Sequence, residues 1–284
     1  MDRAALTVPC LGTVLFALLG STSLRAQIVA PSGRTLFNKN VMVRCLTRVD
    51  FFNEPAPGLN VRSFTLPCMV VWGFHRDTNL IVVAPFAVLD VDQRTGGGVS
   101  EKTTAGFGDG LIQVQYDGFY KKNVPKGFTR VGGQFGLKLP TGRSGFTSDS
   151  VDYLFTAIFS HVRDRNWLIA DSQFTLTTEN GFGIKQGSRW NYDIAYLYRL
   201  SPLEGKNLFL VLEANGEVVG LTRVQDRRLA DSGGNLFSFS PGVEFLPTQR
   251  LVVEFSVPIP MVKDLNGRQL EPKLSLIAGI RFLF

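Results

Sequence analysis

Residues 273–284 read KLSLIAGIRFLF, and this stretch decides the fold. Leu274, Leu276, Ala278, Ile280, Phe282 and Phe284 occupy alternate positions, and all are apolar. Lys273, Ser275, Ile277, Gly279, Arg281 and Leu283 occupy the positions between, which include both charges. A strand sends successive side chains to opposite faces, so the spacing predicts a β-strand with one wholly apolar side. Such a strand, ending on Phe284, suits a sheet that closes on itself in lipid, its last strand pairing with its first. A sandwich strand alternates in the same way, so the neighbouring chain has to discriminate.

Working back from this stretch, strand-like segments are expected near 41–51, 64–74, 79–90, 105–120, 128–139, 151–162, 166–178, 189–200, 207–219, 235–246 and 250–259. With the last, that is about twelve, an even number as bacterial single-chain barrels have. No amphipathic helix is expected between them, and parallel strands would need helical or equally long crossovers. In 189–200, Tyr192, Ile194, Tyr196 and Tyr198 alternate with Asn191, Asp193, Ala195, Leu197 and Arg199. In 207–219, Leu208, Leu210, Leu212 and Ala214 oppose Glu213, Asn215 and Glu217. In 235–246, Phe237, Phe239, Val243 and Phe245 oppose Ser238, Ser240, Gly242 and Glu244. In 250–259, Val253, Phe255 and Val257 oppose Glu254 and Ser256.

The connections separate barrel from sandwich. Every second one is short: HRDTN at 75–79, KNVPKG at 122–127, RDRN at 163–166, SPLEGKN at 201–207 and PTQR at 247–250. Those between are longer, such as 90–104, 140–150, 178–188, 221–235 and 261–272, and rich in Gly, Asp and Thr. Short turns on one rim and long loops on the other are the pattern of a transmembrane antiparallel up-and-down β-barrel. That all-β fold is the expectation for 41–284. The last strand also resembles the C-terminal signature by which bacterial outer-membrane barrels are read by their assembly machinery. That machinery, acting on the Phe284 strand, and outer-membrane lipids are therefore the expected partners.

Composition agrees. Hydrophobic residues make up 44% with mean hydropathy of only +0.10, which excludes a bundle of apolar membrane helices. Phe outnumbers Tyr by 23 to 6, as strands facing lipid allow. The net charge of +6 comes from Lys and Arg lying mostly in turns, with no basic stripe, so no nucleic-acid partner is expected.

Residues 1–26 read as a signal peptide: Arg3, an apolar run at 11–19, then small and polar residues up to Ala26. An uncleaved anchor is the other reading, though the apolar run is short for a span. Residues 27–40 form a polar lead-in. Export to the bacterial outer membrane is the expected localisation.

An oxidising compartment bears on Cys45 and Cys68, which fall on adjacent expected strands. A cross-strand disulfide and two free, outward-facing cysteines both remain open. No metal site is expected, since His75 and His161 are the only histidines and neither has ligand spacing.

The motifs carry no catalytic chemistry. GFGDG at 106–110 lacks the following helix and the Lys-Ser/Thr partner of a phosphate loop, so its glycines are expected to let a strand bend. Ser160 and His161 are adjacent and so point to opposite faces of a strand, which excludes a Ser–His pair. No enzyme activity and no cofactor are expected.

GGQFGLKLPTG at 132–142, DSGGNLFSFSPGVEFL at 231–246 and FSVPIPMVKDLNGRQLEP at 255–272 resemble the outer-membrane family named for the meta-pathway (MetA) of phenol degradation. The likeness covers most of 64–284, with Cys45 and Cys68 atypical for it. The resemblance implies a channel or transporter for passive passage of small hydrophobic or aromatic molecules. It carries no binding or catalytic residues over. A structural or adhesive barrel without transport is the alternative.

The candidate lumen-lining residues follow from the alternation: Glu213, Glu217, Glu244, Glu254, Asp193, Arg199, Arg281, Arg44 and Arg48. Around the PTQR turn, Glu244 and Glu254 are expected as a diagonal pair. Like charges there need cations, and Arg281, Arg44 and Arg48 are the expected suppliers.

Overall fold

A computed structural model of the chain describes residues 39–52, 59–95, 98–123, 127–201 and 207–284. The expected signal peptide and nearly all of the 27–40 lead-in lie outside the described residues. The strands are β1 (Val41–Phe52), β2 (Leu59–His75), β3 (Thr78–Thr95), β4 (Gly98–Phe107), β5 (Gly110–Asn123), β6 (Gly127–Leu139), β7 (Asp152–Arg163) and β8 (Asn166–Leu176). They continue with β9 (Ile184–Lys185), β10 (Arg189–Arg199), β11 (Asn207–Val219), β12 (Arg223–Val224), β13 (Arg227–Arg228), β14 (Gly234–Leu246), β15 (Leu251–Ser256), β16 (Ile259–Leu265) and β17 (Pro272–Leu283).

All but β9, β12 and β13 belong to one antiparallel sheet. Its fourteen strands make twelve staves, because β4 and β5 are successive parts of one, and β15 and β16 of another. The sheet closes where β1 meets β17, in unbroken register from Met42 opposite Leu283 to Phe51 opposite Leu274. Phe284 N–H completes this seam on Val41 O at 2.8 Å. The described structure is thus a closed twelve-stave barrel, the fold class expected from the alternation.

The breaks within two staves have local causes. At 108–109 the chain swings aside, and Gly108 N–H bonds Pro85 O at 2.8 Å. A Cβ on Gly106 would stand 2.7 Å from the Phe146 ring, so only glycine admits the loop packed there. Between β15 and β16, Pro258 has no N–H for a ladder bond. The expected loop at 90–104 is mostly hairpin instead, with β3 and β4 paired from Phe86–Phe107 out to Thr95–Gly98.

The two faces of the wall are inverted relative to a soluble protein. Outward Phe135, Phe155, Trp190, Phe239, Phe255 and Ile280 are exposed, whereas inward Arg44, Asp193, Glu213, Glu244, Glu254 and Arg281 are buried. A sandwich would bury the first set and expose the second. Inward polarity is not uniform around the barrel, however. On β2 and β3 the inward Val61, Met69, Val71, Ile81, Val83, Leu89 and Val91 are apolar and buried. Over their middle these two strands are apolar on both faces, with Ser63 and Asn79 the buried polar residues of the inner one, which alternation rules do not anticipate.

Cys45 and Cys68 are cross-strand partners and form a disulfide. Their neighbours Arg44 and Met69 point inward, so the bridge lies on the outer face of the β1–β2 hairpin, one strand from the seam. Of the two readings left open by the sequence, the structure takes the bonded one.

Candidate functional site

The site is the lumen, built by the inward residues of facing staves. Near the short-turn rim, β1 and β17 bring Arg44 and Arg281 opposite one another across the seam. The adjoining pair β14–β15 brings Glu244 directly opposite Glu254. The expected diagonal is therefore a direct pair, in the same register that sets Phe245 opposite Val253. Arg44 Nη2 donates to Glu254 Oε2 at 2.5 Å, and Arg281 Nη2 donates to Glu244 Oε1 at 3.2 Å. Arg281 Nε stands 3.3 Å from Glu254 Oε1. Two arginines and two glutamates thus neutralise one another in a quartet that joins four staves.

Arg48 does not join the quartet. Its Nε bonds Asp50 Oδ1 at 2.7 Å, and Asp50 also accepts from Ser63 and Ser275. Glu217 lies 3.7 Å from Arg189. Arg199, on the short-turn rim, places its guanidinium 5.3 Å above the Phe209 ring. Asp193 and Glu213 lie apart from the quartet, on the adjacent staves β10 and β11.

Asp193 is part of an acidic patch that the sequence reading only half identified. Asp171 on β8 stands directly opposite Asp193 on β10, and Glu213 on β11 faces Ala195, the next inward residue. All three carboxylates are buried. Asn215 Nδ2 donates to Asp193 Oδ1 at 2.8 Å, and Ser240 Oγ donates to Asn215 Oδ1 at 2.6 Å. Asn191, one inward step further on β10, is 1% exposed, and neither of its side-chain amide atoms is hydrogen-bonded among the described residues. Asp171 was missed because Ala170 and Ser172, both small, flank it and blur the alternation of β8. Its inward parity with Trp167 and Ile169 was the available signal.

Between this patch and the short-turn rim lies an apolar constriction. Trp167, Ile169, Leu197, Phe209 and Val211 from β8, β10 and β11 pack with Leu46 and Ile277 from β1 and β17. β1 and β8 stand six positions apart around the twelve staves, so these residues meet across the full width of the lumen. Leu197 and Val211 have no exposed surface at all, so the constriction is filled by side chains. Burial at this density is worth about 1.5–3 kcal/mol per large side chain. Opening it requires rotamer changes rather than a passive hole.

At the long-loop rim, residues 140–150 fold inward. Asp109 holds them, accepting from Ser148 N at 2.8 Å and Gly142 N at 3.1 Å, with Lys138 bridging Asp109 and Asp152. Loop 140–150 therefore narrows the other end of the lumen.

No protein-family model matches the sequence, and no curated protein matches it. Solved structures do match. An outer-membrane channel from Pseudomonas putida F1 superposes with a TM-score of 0.67 at 13% identity, over 90% of this chain and 100% of that one. The translocator domain of the autotransporter NalP from Neisseria meningitidis gives a TM-score of 0.53 at 11% identity, over 99% and 100%. The NanC porin gives 0.50 at 11% identity, over 85% and 98%. At these identities the likeness is one of fold: the chain has the β-barrel fold of outer-membrane proteins.

Proposed function

We propose that the protein is an outer-membrane channel for small, partly apolar solutes, gated by the side chains of its own lumen. The observation that carries this reading is the order of surfaces along the lumen. On β8, β10 and β11 an acidic patch on the long-loop side gives way to an apolar constriction, and the Arg–Glu quartet flanks that constriction on the neighbouring staves, with Glu244 directly opposite Phe209. A solute with an aromatic ring and one hydroxyl matches that order. Its hydroxyl can donate to Asp171, Asp193 or Glu213, while its ring exchanges contacts with Trp167, Phe209, Leu197 and Val211. Phenolic compounds fit this description, and the resemblance to the phenol-pathway family points the same way. In this reading residues 1–26 direct export, the Phe284 strand engages the assembly machinery, and the long loops face outside.

Reconstitution into liposomes with a panel of phenols, sugars and inorganic ions tests the proposal. Faster entry of phenols than of sugars of similar size is expected, with entry raised by Phe209→Ala. The filled constriction also favours a second reading, a non-transporting barrel that serves as a structural or adhesive element. Entry of none of the solutes, in both wild type and Phe209→Ala, would select it.

A further inference from the structure

Outside the barrel, β9, β12 and β13 form a separate three-stranded sheet on the long-loop rim. β9 belongs to the β8–β10 connection, and β12 and β13 to the β11–β14 connection. The register places Arg223 directly opposite both Lys185 and Arg228. Cross-strand partners share a face, so three cations stand in one row. Like charges directly opposite one another destabilise a sheet. Among the described residues, none of these three makes an ion pair. Glu179, joined to Lys185 by an isolated backbone bridge at the end of the row, is exposed and makes no ion pair with it among the described residues.

Charged edge strands protect a sheet from pairing with other chains, and that accounts for Arg227 and Arg228 on β13. It does not account for Arg223, which lies on the central strand. Arg223 and Arg228 are both exposed, and their guanidinium groups can each meet an anionic oxygen bidentately. Phe182, three residues before Lys185, is 71% exposed, an apolar contact beside a cationic row.

We propose that the Lys185–Arg223–Arg228 row docks the phosphorylated headgroup of a glycolipid in the outer leaflet, with Phe182 against its acyl region. This rests on the outer-membrane reading above. Position and charge carry it: the row sits on the rim that meets the leaflet surface, and a phosphate supplies the missing countercharge. Each basic side chain near an anionic surface is worth about fivefold in affinity, so the three together give about a hundredfold.

The full chain, reconstituted in phosphatidylcholine vesicles, is titrated with purified lipid A, with its dephosphorylated form and with inorganic phosphate. Tight binding of lipid A is expected, with dephosphorylated lipid at least tenfold weaker. The triple variant K185Q/R223Q/R228Q should lose about a hundredfold, and R227Q, on the opposite face, less than threefold. These positions lie outside the barrel, so gel mobility before and after boiling should be unchanged. Equal binding by wild type and the triple variant overturns the proposal. So does binding of inorganic phosphate as tightly as lipid A, which makes the row a free-anion site. If cell fractionation places the wild-type chain away from the outer membrane, the outer-membrane reading fails and this one with it. A chain in the outer membrane that ignores the row's charge removes this inference alone.

Discussion

Arg44 and Arg281 face each other across the seam that closes the barrel, Arg44 bonded across it to Glu254 on β15 and Arg281 bonded on its own side to Glu244 on β14. Arg44 reaches over β17 to Glu254, 210 residues away in sequence. Two cations opposed across a seam would push it apart, and Glu244 and Glu254 reverse that sign. The quartet therefore couples closure of the sheet to charge pairing within the lumen.

Removing one member should cost more than removing a pair. Glu254→Gln leaves Arg44 buried without its countercharge, and breaking a buried pair costs about 3–5 kcal/mol. Arg44→Met with Glu254→Met leaves no orphan and should recover most of that loss. Unfolding midpoints in urea, read by gel mobility, check this. A double variant no more stable than Glu254→Gln would mean that the pair does not act as a unit.

The outer face should resist charge. Phe239 is 40% exposed near the middle of β14, and Arg at a bilayer midplane costs about 2–4 kcal/mol. Its neighbour Ser240 points inward and donates to Asn215, so Ser240→Ala should cost only about 1 kcal/mol. The open lumen implied by alternation would have admitted an arginine at 240, but at 1% exposure the packed wall does not. Unfolding in detergent and in lipid should separate the two variants. A Phe239→Arg midpoint equal to that of Ser240→Ala in lipid would contradict the assignment of faces.

The disulfide should stabilise independently of these charges. It closes a span of 23 residues, for which loop-closure entropy predicts about 3 kcal/mol. Reductant should lower the wild-type unfolding midpoint and leave that of Cys45→Ser/Cys68→Ser unmoved. Because the bridge faces outward, lipid should slow its reduction relative to detergent.

Alternation and turn length made the staves legible, since period two and loop chemistry are local properties of the chain. The inward direction of Glu213, Glu244, Glu254 and Arg281 followed from the same parity. Partner identity did not. Arg44 and Arg48 have the same parity two residues apart, yet one bonds Glu254 and the other Asp50, because barrel closure and stagger decide reach. The apolar inner faces of β2 and β3 escaped because a strand apolar on both sides has no period to read. The cationic row escaped because β9, β12 and β13 are two residues each, shorter than any window in which alternation is visible.

The acidic patch bears most directly on passage. Asp171, Asp193 and Glu213 gather three carboxylates on adjacent staves, whereas the quartet is balanced. A unit charge acts on a passing ion with about 1 kcal/mol at ~8 Å for an effective dielectric constant near 40. That corresponds to roughly a fivefold change in relative permeability. Asp193→Asn and Glu213→Gln should each reduce cation preference by about this factor while preserving side-chain shape. Glu244→Gln should do the same for a different reason, because it frees part of the Arg281 charge and makes the lumen more positive. Arg281→Gln should raise cation preference. Reversal potentials across a salt gradient read these shifts directly, and the Phe209→Ala background supplies a lumen wide enough to measure. Uptake of a phenol and of its methyl ether, which has no hydroxyl to donate, separates field from hydrogen bond. If the patch receives the hydroxyl, Asp193→Asn slows the phenol and leaves the ether unchanged. Equal slowing of both would confine the patch to an electrostatic role, and identical reversal potentials in all variants would remove these charges from selectivity altogether.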